Sequence, residues 1–383
     1  MALWKKICLW VVTAAVAVGS IWSTTALLDA ILDIRGFADK KSSDKTVDVA
    51  IMDRYDSYIT NQVSSALEGV VVVEREYWLS DDDQVAPAPN EPCYGETEDP
   101  SSLGWLLEKA EKLLAGQETL FTTDVEIPEG SKVQYYLDDT LLVICWKEAI
   151  NHCLYTVAEV KIAHPSQFRR FLSGGAYGSD LQLKTTEMAA SVNAVLATSG
   201  DFYANRRNGV IVYEGVVQRV HSRYLETCYI DDQGNMSFSY LGEYPDIESA
   251  QKFVDENNIR FSLAFGPVLV ENGVPRPKRE YADYLLGSVE NEHSRIALCQ
   301  RDDLHYFVAV AGQDSKYGCF RMITLSEFQE QIVKYGCDMA YTLDGGQTAT
   351  VVMNNQLVNR VAYDSERTIS DIIYFATAIP NGE

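Results

Sequence analysis

Two apolar runs decide the fold: YYLDDTLLVICWK at residues 135–147 and CLYTVAEVKIA at residues 153–163. Both are rich in β-branched and aromatic residues, which favour extended backbone. The segment between Cys145 and Cys153 is expected to be a short polar loop, so the two runs are predicted to form a hairpin. The two cysteines would then face each other and crosslink, unless they are simply small buried apolar residues.

The same β-rich sequence pattern continues towards the C-terminus. Further strand-like runs are bounded by turn residues at 210–217, 229–235 and 268–273. Helical patterns interrupt them at residues 185–196, 246–256 and 325–335. Grouped strands with scattered helices predict an α+β fold of mixed, largely antiparallel sheets with flanking helices, rather than a regular βαβ array.

The region before residue 132 has a different composition. Apolar residues recur every three to four positions from Val47 to Ala66, which predicts an amphipathic helix, and residues 79–101 form an acidic, proline-rich connection. A docking helix is expected from Asp99 to Gly116. We therefore predict three parts: a membrane anchor at 1–30, a juxtamembrane region at 31–131 and the main domain at 132–383.

The N-terminus carries a membrane signal. Lys5 and Lys6 precede the uncharged stretch of residues 7–28, which is long enough to span a bilayer as a helix. The positive flank predicts that the N-terminus faces the cytoplasm and the main domain lies outside. Secretion after cleavage of a signal peptide is the alternative interpretation.

The charge balance limits the partners. The 383 residues carry a formal net charge of −23, and no long basic segment offsets it. The chain is therefore not expected to bind nucleic acid. The same charge repels an anionic glycopolymer, and a phosphate-bearing substrate therefore needs a local arginine cluster or a bridging cation. The eight cysteines have no zinc-finger spacing. If Cys8 lies in the membrane segment, the seven others leave at least one thiol unpaired.

The first motif with chemical content is AVLATSGDFYANRRNGVIVYEG at residues 194–215. A strand that ends in Ser199, Gly200 and Asp201 places polar groups on a loop above a rigid scaffold, where functional sites usually lie. Asp201 is a candidate general acid or base. Arg206 is a candidate phosphate ligand, since guanidinium matches phosphate oxygens in bidentate geometry. A simple turn with an aspartate cap is the alternative.

The second motif is AYTLDGGQTATVV at residues 340–352. Asp344 ends an apolar strand, and Gly345 and Gly346 follow it. This order presents a carboxylate beside backbone N–H groups, an arrangement that suits a sugar or a phosphate. A hairpin turn is the alternative interpretation.

Two arginines lie beside apolar runs. Arg295 opens the run SRIAL at residues 294–298, and Arg367 precedes the run at residues 369–379. A charge beside a buried run needs a partner, and an anionic ligand or a structural salt bridge would each serve.

Together, these clusters resemble the phosphodiester glycosidase family, over residues from about Lys132 to Glu383. Five segments carry the resemblance: YTVAEVKI at 155–162, SGDFY at 199–203, FGPVLV at 265–270, SRIAL at 294–298 and LDGGQTA at 343–349. The chain departs from the family pattern at Ser199, where an asparagine is common, and at Gln347, where a glycine or serine is frequent.

The resemblance implies an enzyme that hydrolyses sugar-1-phosphodiester bonds in an extracellular or cell-envelope glycoconjugate. Asp201, Asp344 and Arg295 are the implied catalytic residues. The residues expected to bind the substrate are Ser199, Gly200, Arg206, Gly345, Gly346, Gln347 and Arg367. The resemblance leaves open whether the two aspartates hold a divalent cation. A non-catalytic module that binds a phosphoglycan or another cell-wall polymer is the alternative function.

Overall fold

The computed structural model describes residues 78–80, 85–205, 208–221, 226–240, 242–277 and 291–379. All of them belong to one compact unit, Glu76–Glu383. The predicted membrane segment, the amphipathic stretch at 47–66 and Arg206 lie outside the described residues. Within the described ranges, no helix has the length and apolarity needed to cross a bilayer.

The described part of the chain is dominated by strands, numbered here in chain order. They are β1 Tyr94–Thr97, β2 Val133–Leu137, β3 Leu141–Ile150, β4 Cys153–Ile162, β5 Phe168–Leu172, β6 Leu196–Ser199, β7 Gly209–Tyr213, β8 Val216–His221, β9 Thr227–Asp231, β10 Met236–Ser239, β11 Ile259–Leu263, β12 Val268–Glu271, β13 Val274–Pro275, β14 Arg295–Asp302, β15 His305–Gly312, β16 Met339–Thr342, β17 Val351–Met353, β18 Gln356–Leu357 and β19 Asp371–Phe375. The α-helices are α1 Gly104–Leu114, α2 Thr185–Ser191, α3 Ile247–Glu256 and α4 Leu325–Tyr335.

The predicted hairpin is the centre of a nine-stranded sheet. Its β3 and β4 pair from Leu141 opposite Ile162 to Ile150 opposite Cys153. The turn contains only Asn151 and His152, with φ of 50° and 62°, which matches the two-residue turn that follows the twist of paired strands. The full strand order is β1-β2-β3-β4-β15-β14-β16-β12-β13, with antiparallel neighbours throughout.

The expected crosslink between Cys145 and Cys153 is wrong. Strand β3 continues to Ile150, so Cys145 lies opposite Ala158 and Cys153 lies opposite Ile150. Cys145 packs in the core on one face of the sheet, whereas Cys153 packs on the other face. The prediction failed because it treated residues 146–150 as loop, although they continue the ladder.

A second, five-stranded sheet covers one face of the first. Its order is β18-β17-β6-β19-β5. The main core lies between the two sheets, where Phe168, Phe375 and Tyr306 pack together. Helices α1 and α4 cover the outer face of the nine-stranded sheet. Helix α2 packs on the outer face of the five-stranded sheet. Helices therefore flank two largely antiparallel sheets, and the predicted α+β class is confirmed.

The helix signals in the sequence mark real helix ends. Thr324 and Glu327 form the predicted capping box at the start of α4, which stops before Gly336 at φ 77°. Asp246 caps α3. Helix α2 is shorter than predicted, because Asn193 adopts φ 57° and the chain enters β6 at Leu196.

The region before residue 132 contributes to the same sheet. Strand β1 pairs with β2 along Tyr94–Thr97. Helix α1 buries Leu106, Ala110 and Leu114 against the outer face, and Asp99 caps the 3-10 turn that precedes it. The expected docking helix is therefore present. The boundary between residues 131 and 132 stays a prediction, with β1 and α1 packed on the domain that follows it.

Candidate active site

Two motifs meet where the chain crosses between the sheets. Strand β16 belongs to the nine-stranded sheet and β17 to the five-stranded sheet, so residues 343–350 connect the two layers. Strand β17 pairs with β6, with Val351 opposite Thr198. This pairing brings the DGG motif of residues 344–346 to the same region as the SGDFY motif of residues 199–203.

The accessible centre of this region is an ion pair between Asp344 and Arg367. Nη2 of Arg367 donates to Oδ2 of Asp344. The Asp344 side chain is 8% exposed and that of Arg367 is 40% exposed, so the pair lies at the surface with the carboxylate facing inwards. The guanidinium carbon of Arg367 stands 4.5 Å from the centroid of the Phe202 ring, which holds the cation in a fixed plane.

Arg367 also keeps an unused donor. Its Nε is buried and has no hydrogen-bond partner among the described residues. The Oγ of Ser199, at the end of β6, is also buried and has no hydrogen-bond partner among the described residues. A buried polar atom that lacks a partner costs free energy, and a ligand or an ordered water would relieve that cost at both positions.

The two glycines after Asp344 are required for different reasons. A Cβ on Gly345 would stand 2.4 Å from the backbone oxygen of Ser294, so only glycine fits beside β14. Gly346 has φ 70°, and its N–H donates to that same Ser294 oxygen at 3.1 Å. Thr348 closes the turn, since its hydroxyl donates to the carbonyl oxygens of Asp344 and Gly345 at 2.8 Å. The loop thus fixes the Asp344 backbone against β14.

Gln347 links this loop to the segment that carries Arg367. Its Nε2 donates to the Ser365 oxygen at 3.0 Å, and its own carbonyl oxygen accepts from the Arg367 N–H at 3.5 Å. Glu366 points the other way and accepts from the N–H and hydroxyl of Thr186, both at 2.9 Å. Arg367 is therefore placed by contacts on both sides.

A second, fully buried cluster lies beneath the SGDFY loop. Arg170 of β5 forms ion pairs with Asp201 at 2.9 Å and with Asp371 at 2.8 Å, and all three side chains are at most 1% exposed. The second oxygen of Asp201 accepts from the Ala264 N–H at 2.7 Å. One guanidinium therefore neutralises two carboxylates, and the second oxygen of Asp201 is also bonded.

Asp371 fixes the course of this loop. Its carboxylate accepts from the N–H groups of Asp201, at 3.2 Å, and Phe202, at 3.0 Å. A Cβ on Gly200 would stand 1.8 Å from Oδ2 of Asp371, so glycine is required here for space. Phe202 then turns back at φ 60°, and its ring contacts Arg367. The buried cluster thus reaches the surface pair through the Phe202 ring.

Burial dominates the titration of Asp201. It raises the pKa of Asp201 to about 6, while the Arg170 guanidinium lowers it and the Asp371 carboxylate raises it. For Arg170, burial opposes the charge, but Asp201 and Asp371 raise its pKa above the usual value. The carboxylates and the guanidinium therefore depend on one another for their charge.

Arg295 borders the site through its backbone. Its Cα lies 3.9 Å from the Cβ position of Gly345, but its side chain donates to the carbonyl oxygens of Asn291, at 2.6 Å, and Ile323, at 3.4 Å. Burial lowers the pKa of Arg295 to about 10. The described contacts of its guanidinium are thus with backbone, and its role in holding phosphate stays a prediction.

The structure brings most of the predicted site residues to one region. Ser199, Gly200 and Asp201 directly precede Phe202, and the Phe202 ring contacts Arg367, which bonds to Asp344 and to the Gln347 oxygen. Arg170 and Asp371 were not predicted from the sequence. The signal for Arg170 was the pair of arginines inside the apolar strand FRRFL, since a charge in a buried strand requires a partner.

The donor set does not fit a cation shared by the two aspartates. Both oxygens of Asp201 are already bonded, one to Arg170 and one to the Ala264 N–H, and Asp344 is bound to Arg367. Among the described residues, no group of three histidine, cysteine or acidic side chains is arranged to hold a metal ion.

Comparisons with known proteins cover the region that contains this site. Residues 192–376 match the model of the phosphodiester glycosidase family, a range that contains both motifs and Arg367. No curated protein matches the chain. The zebrafish structure described as the N-acetylglucosamine-1-phosphodiester alpha-N-acetylglucosaminidase catalytic domain, auto-inhibited by its pro-peptide, superposes with a TM-score of 0.51 at 14% identity, over 70% of this chain and 93% of that one.

A hypothetical protein from Synechocystis superposes with a TM-score of 0.44 at 12% identity, over 66% of this chain and 64% of that one. The zebrafish structure shares the fold. The family match rests on residues 192–376, and over these residues the resemblance to the phosphodiester glycosidase family is confirmed.

Proposed function

We propose that this chain is an extracytoplasmic, membrane-anchored enzyme that hydrolyses sugar-1-phosphodiester bonds in a cell-envelope or extracellular glycoconjugate. The observation that carries the proposal is the pair of Asp344 and Arg367 at the surface, where the Nε of the arginine has no hydrogen-bond partner among the described residues. The pair lies within the residues that match the phosphodiester glycosidase family.

The reaction breaks the bond between the anomeric carbon and the bridging oxygen. Water supplies the oxygen that becomes the sugar's new hydroxyl, and the phosphate keeps the bridging oxygen and remains on its former partner as a monoester. Such a reaction develops oxocarbenium character on the sugar. Phosphate is a good leaving group, so a guanidinium that stabilises its developing charge replaces an acid catalyst.

Arg367 is the residue that fits the role of phosphate ligand. Stacking on Phe202 and the bond to Asp344 fix its plane, and its 40% exposure leaves one edge open to a substrate. Asp344 is the carboxylate that borders the same space, so it orients the sugar or accepts a proton from the attacking water. The role of the DGG glycines is to bring this carboxylate close to β14.

Asp201 acts as a positioning residue in this proposal. It has no exposed surface, and its oxygens are bonded to Arg170 and the Ala264 N–H, so it shapes the loop that carries Phe202. The backbone of Arg295 supports the DGG loop from β14, and its guanidinium would hold phosphate only after leaving the carbonyls of Asn291 and Ile323.

The first substrates to test are N-acetylglucosamine-1-phosphodiesters, because the zebrafish protein that shares this fold is named for that bond. Purified full-length chain is incubated with UDP-N-acetylglucosamine and with alkyl sugar-1-phosphodiesters, and released reducing sugar is measured. Asp344→Asn is expected to lower turnover by about 10²-fold or more, as does the loss of a catalytic carboxylate or oxyanion ligand elsewhere.

Asp364→Asn is the matched control. Asp364 is an exposed aspartate on the same segment, bound to Arg360, and its loss should leave turnover within about twofold of wild type. Release that survives Asp344→Asn would contradict the assignment of Asp344. Retention of a phosphoglycan without any sugar release would instead identify a non-catalytic binding module.

A further inference from the structure

Two of the described lysines are buried, and their ammonium groups differ in what they contact. Lys161 is 5% exposed, and its Nζ donates to the Asp303 carbonyl oxygen at 2.7 Å. Lys147 is 9% exposed, but no hydrogen bond or ion pair within the described ranges joins its Nζ to a partner. Burial lowers the pKa of Lys147, because an ammonium group that leaves water without an ion-pair partner is destabilised.

Lys147 reaches a tyrosine ring that a second lysine also contacts. Its Nζ stands 6.0 Å from the centroid of the Tyr317 ring, and the Nζ of Lys316 stands 4.8 Å from the same centroid. Lys316 Nζ also donates to the Tyr317 hydroxyl at 3.0 Å. The nearby Asp314 carboxylate accepts from the Lys316 N–H at 3.0 Å. Two positive charges therefore meet at one aromatic ring, on a chain whose net charge is −23.

The turn that carries Lys316 and Tyr317 is fixed and open to solvent. Residues 315–317 form a 3-10 turn that ends at Gly318 with φ 68°, and Asp314 and Cys319 pair across it. Lys316 is exposed and Tyr317 is half-buried. Because the Lys147 ammonium lies beside this surface ring, it is the end of a buried side chain that a ligand can approach.

The register of the nine-stranded sheet places Lys147 in the same row of residues as the start of the DGG loop. Directly opposite residues lead from Lys147 of β3 to Thr156 of β4, Val310 of β15 and Ile296 of β14. The Ile296 oxygen accepts from the N–H of Leu343, which immediately precedes that loop, at 3.2 Å. Neighbouring strands are about 4.8 Å apart, so four spacings put Lys147 about 19 Å from Leu343.

Both ends of this row lie on one face of the sheet. Ile296 and Leu343 pack in the core between the two sheets, as does Cys145 of β3. Lys147 follows Cys145 by two residues, and alternate residues of a strand share a face. The two lysines and the candidate active site therefore border the same side of the sheet.

We propose that Lys147 and Lys316 bind a second phosphate of the substrate, so that the natural substrate is a chain with repeated phosphodiesters. This inference rests on the proposed cleavage of a sugar-1-phosphodiester at Asp344 and Arg367. A lysine ammonium binds phosphate as a point charge. A phosphate between the two ammonium groups supplies the counter-charge that a buried lysine requires, and a second contact on one chain raises the affinity of the whole chain.

Isothermal titration calorimetry tests the proposal. The probes are six N-acetylglucosamine units joined by 1-phosphodiester bonds and a methyl N-acetylglucosamine-1-phosphodiester, which has a single phosphate. Both are titrated into the full-length chain with Asp344→Asn, so that hydrolysis does not consume them. Adding Lys147→Met should weaken binding of the six-unit probe by about tenfold and leave binding of the single-phosphate probe within about twofold. Equal effects on the two probes, or no effect on either, would overturn the proposal.

Three further variants exclude effects of folding and of net charge. Methionine keeps an unbranched apolar side chain at position 147, so the melting temperature of Lys147→Met should equal or exceed that of wild type. A decrease of about 5 °C or more would identify Lys147 as a structural charge and would also overturn the proposal. Lys316→Met alters an exposed residue and should weaken binding of the six-unit probe by about threefold. Lys252→Met removes the same charge from an exposed position on α3 and should change neither affinity.

Sugar release by the wild-type chain from the single-phosphate probe tests the proposed function separately. Release from that probe, with no effect of Lys147→Met on the affinity for the six-unit probe, would keep the hydrolase and remove the second phosphate site. A selective effect of Lys147→Met without any sugar release would support the second site on a chain that binds phosphoglycan without cleaving it.

Discussion

At the scale of single residues, the candidate site contains two carboxylates in opposite environments. Asp344 lies at the surface beside a partly exposed arginine, whereas Asp201 is sealed beneath it with both oxygens bonded. Local sequence does not distinguish them, since each is an aspartate next to glycine at a strand end. The difference comes from the chain crossing between two sheets, which only the tertiary structure shows.

The first residue-scale prediction concerns Arg367. Arg367→Lys should lower kcat/KM for a sugar-1-phosphodiester by about 10²-fold, because a lysine ammonium cannot copy the planar, stacked guanidinium over Phe202. Steady-state kinetics checks this against Arg360→Lys, which alters an arginine in a surface ion pair with Asp364. Equal losses in the two variants would remove Arg367 from the site.

The second prediction concerns pH. Because burial raises the pKa of Asp201 to about 6, the folded state binds its proton more tightly than the unfolded state, in which an ordinary aspartate titrates near 3.9. The contribution of Asp201 to stability is therefore full below about pH 4 and is lost as the pH rises through 6. Its magnitude is about 3 kcal/mol.

Urea unfolding between pH 4 and pH 7 measures this contribution. The unfolding free energy of the wild type minus that of Asp201→Asn should decrease as the pH rises across this interval, since asparagine does not titrate there. A difference that stays constant or increases would show that the pKa of Asp201 is not raised in the folded protein.

At the scale of elements, the loops at the strand ends are set by close approach. Gly345 has φ −90°, which any residue adopts, so its requirement is one of space: a Cβ would meet the Ser294 oxygen at 2.4 Å. Gly345→Ala should therefore push the DGG loop away from β14, destabilise the fold by about 2 kcal/mol and abolish sugar release.

Gly104→Ala provides the comparison at an open position. Gly104 is at the start of α1, and a Cβ there meets nothing within 4 Å. The substitution should be neutral or stabilise by about 0.5 kcal/mol, with activity unchanged. Urea unfolding and sugar release check both variants. An active and fully stable Gly345→Ala protein would contradict the close packing of the loop.

The elements themselves were largely predictable from local sequence. The capping box at Thr324 and the glycine after Tyr335 gave the bounds of α4, because both signals act within one helical turn. The hairpin at residues 141–162 was predicted, but its turn was placed too early, since the charged residues Lys147 and Glu148 interrupt the apolar pattern. The hydrogen bond from Trp146 Nε1 to Glu148 at 2.5 Å shows how a polar group is accommodated at the strand end.

At the scale of the whole molecule, the pairing of distant strands lay beyond the sequence. Strand β5 pairs with β19 across some two hundred residues, and this pairing puts Arg170 beside Asp371. The resemblance of five short segments indicated the family, and with it Asp344. Arg170 and Asp371 lie outside those segments, and only the assembled sheet shows their bond.

The net charge gives the whole-molecule prediction. A formal charge of −23 repels an anionic substrate at long range, whereas the contact with Arg367 is short. Raising the ionic strength from about 10 to 150 mM shortens the Debye length from about 30 to 8 Å, so kcat/KM for a phosphodiester should increase severalfold. Stopped assays at several salt concentrations test this, and a decrease would mean that local attraction dominates the encounter.

We propose that hydrolysis breaks the bond at the anomeric carbon and leaves the phosphate on its former partner. Hydrolysis of an alkyl N-acetylglucosamine-1-phosphodiester in ¹⁸O-labelled water tests it directly, by mass analysis of the phosphomonoester product. We expect an alkyl phosphate without ¹⁸O, because the phosphate keeps its bridging oxygen. Incorporation of ¹⁸O into a phosphate product would show attack at phosphorus and would contradict the assignment as a glycosidase.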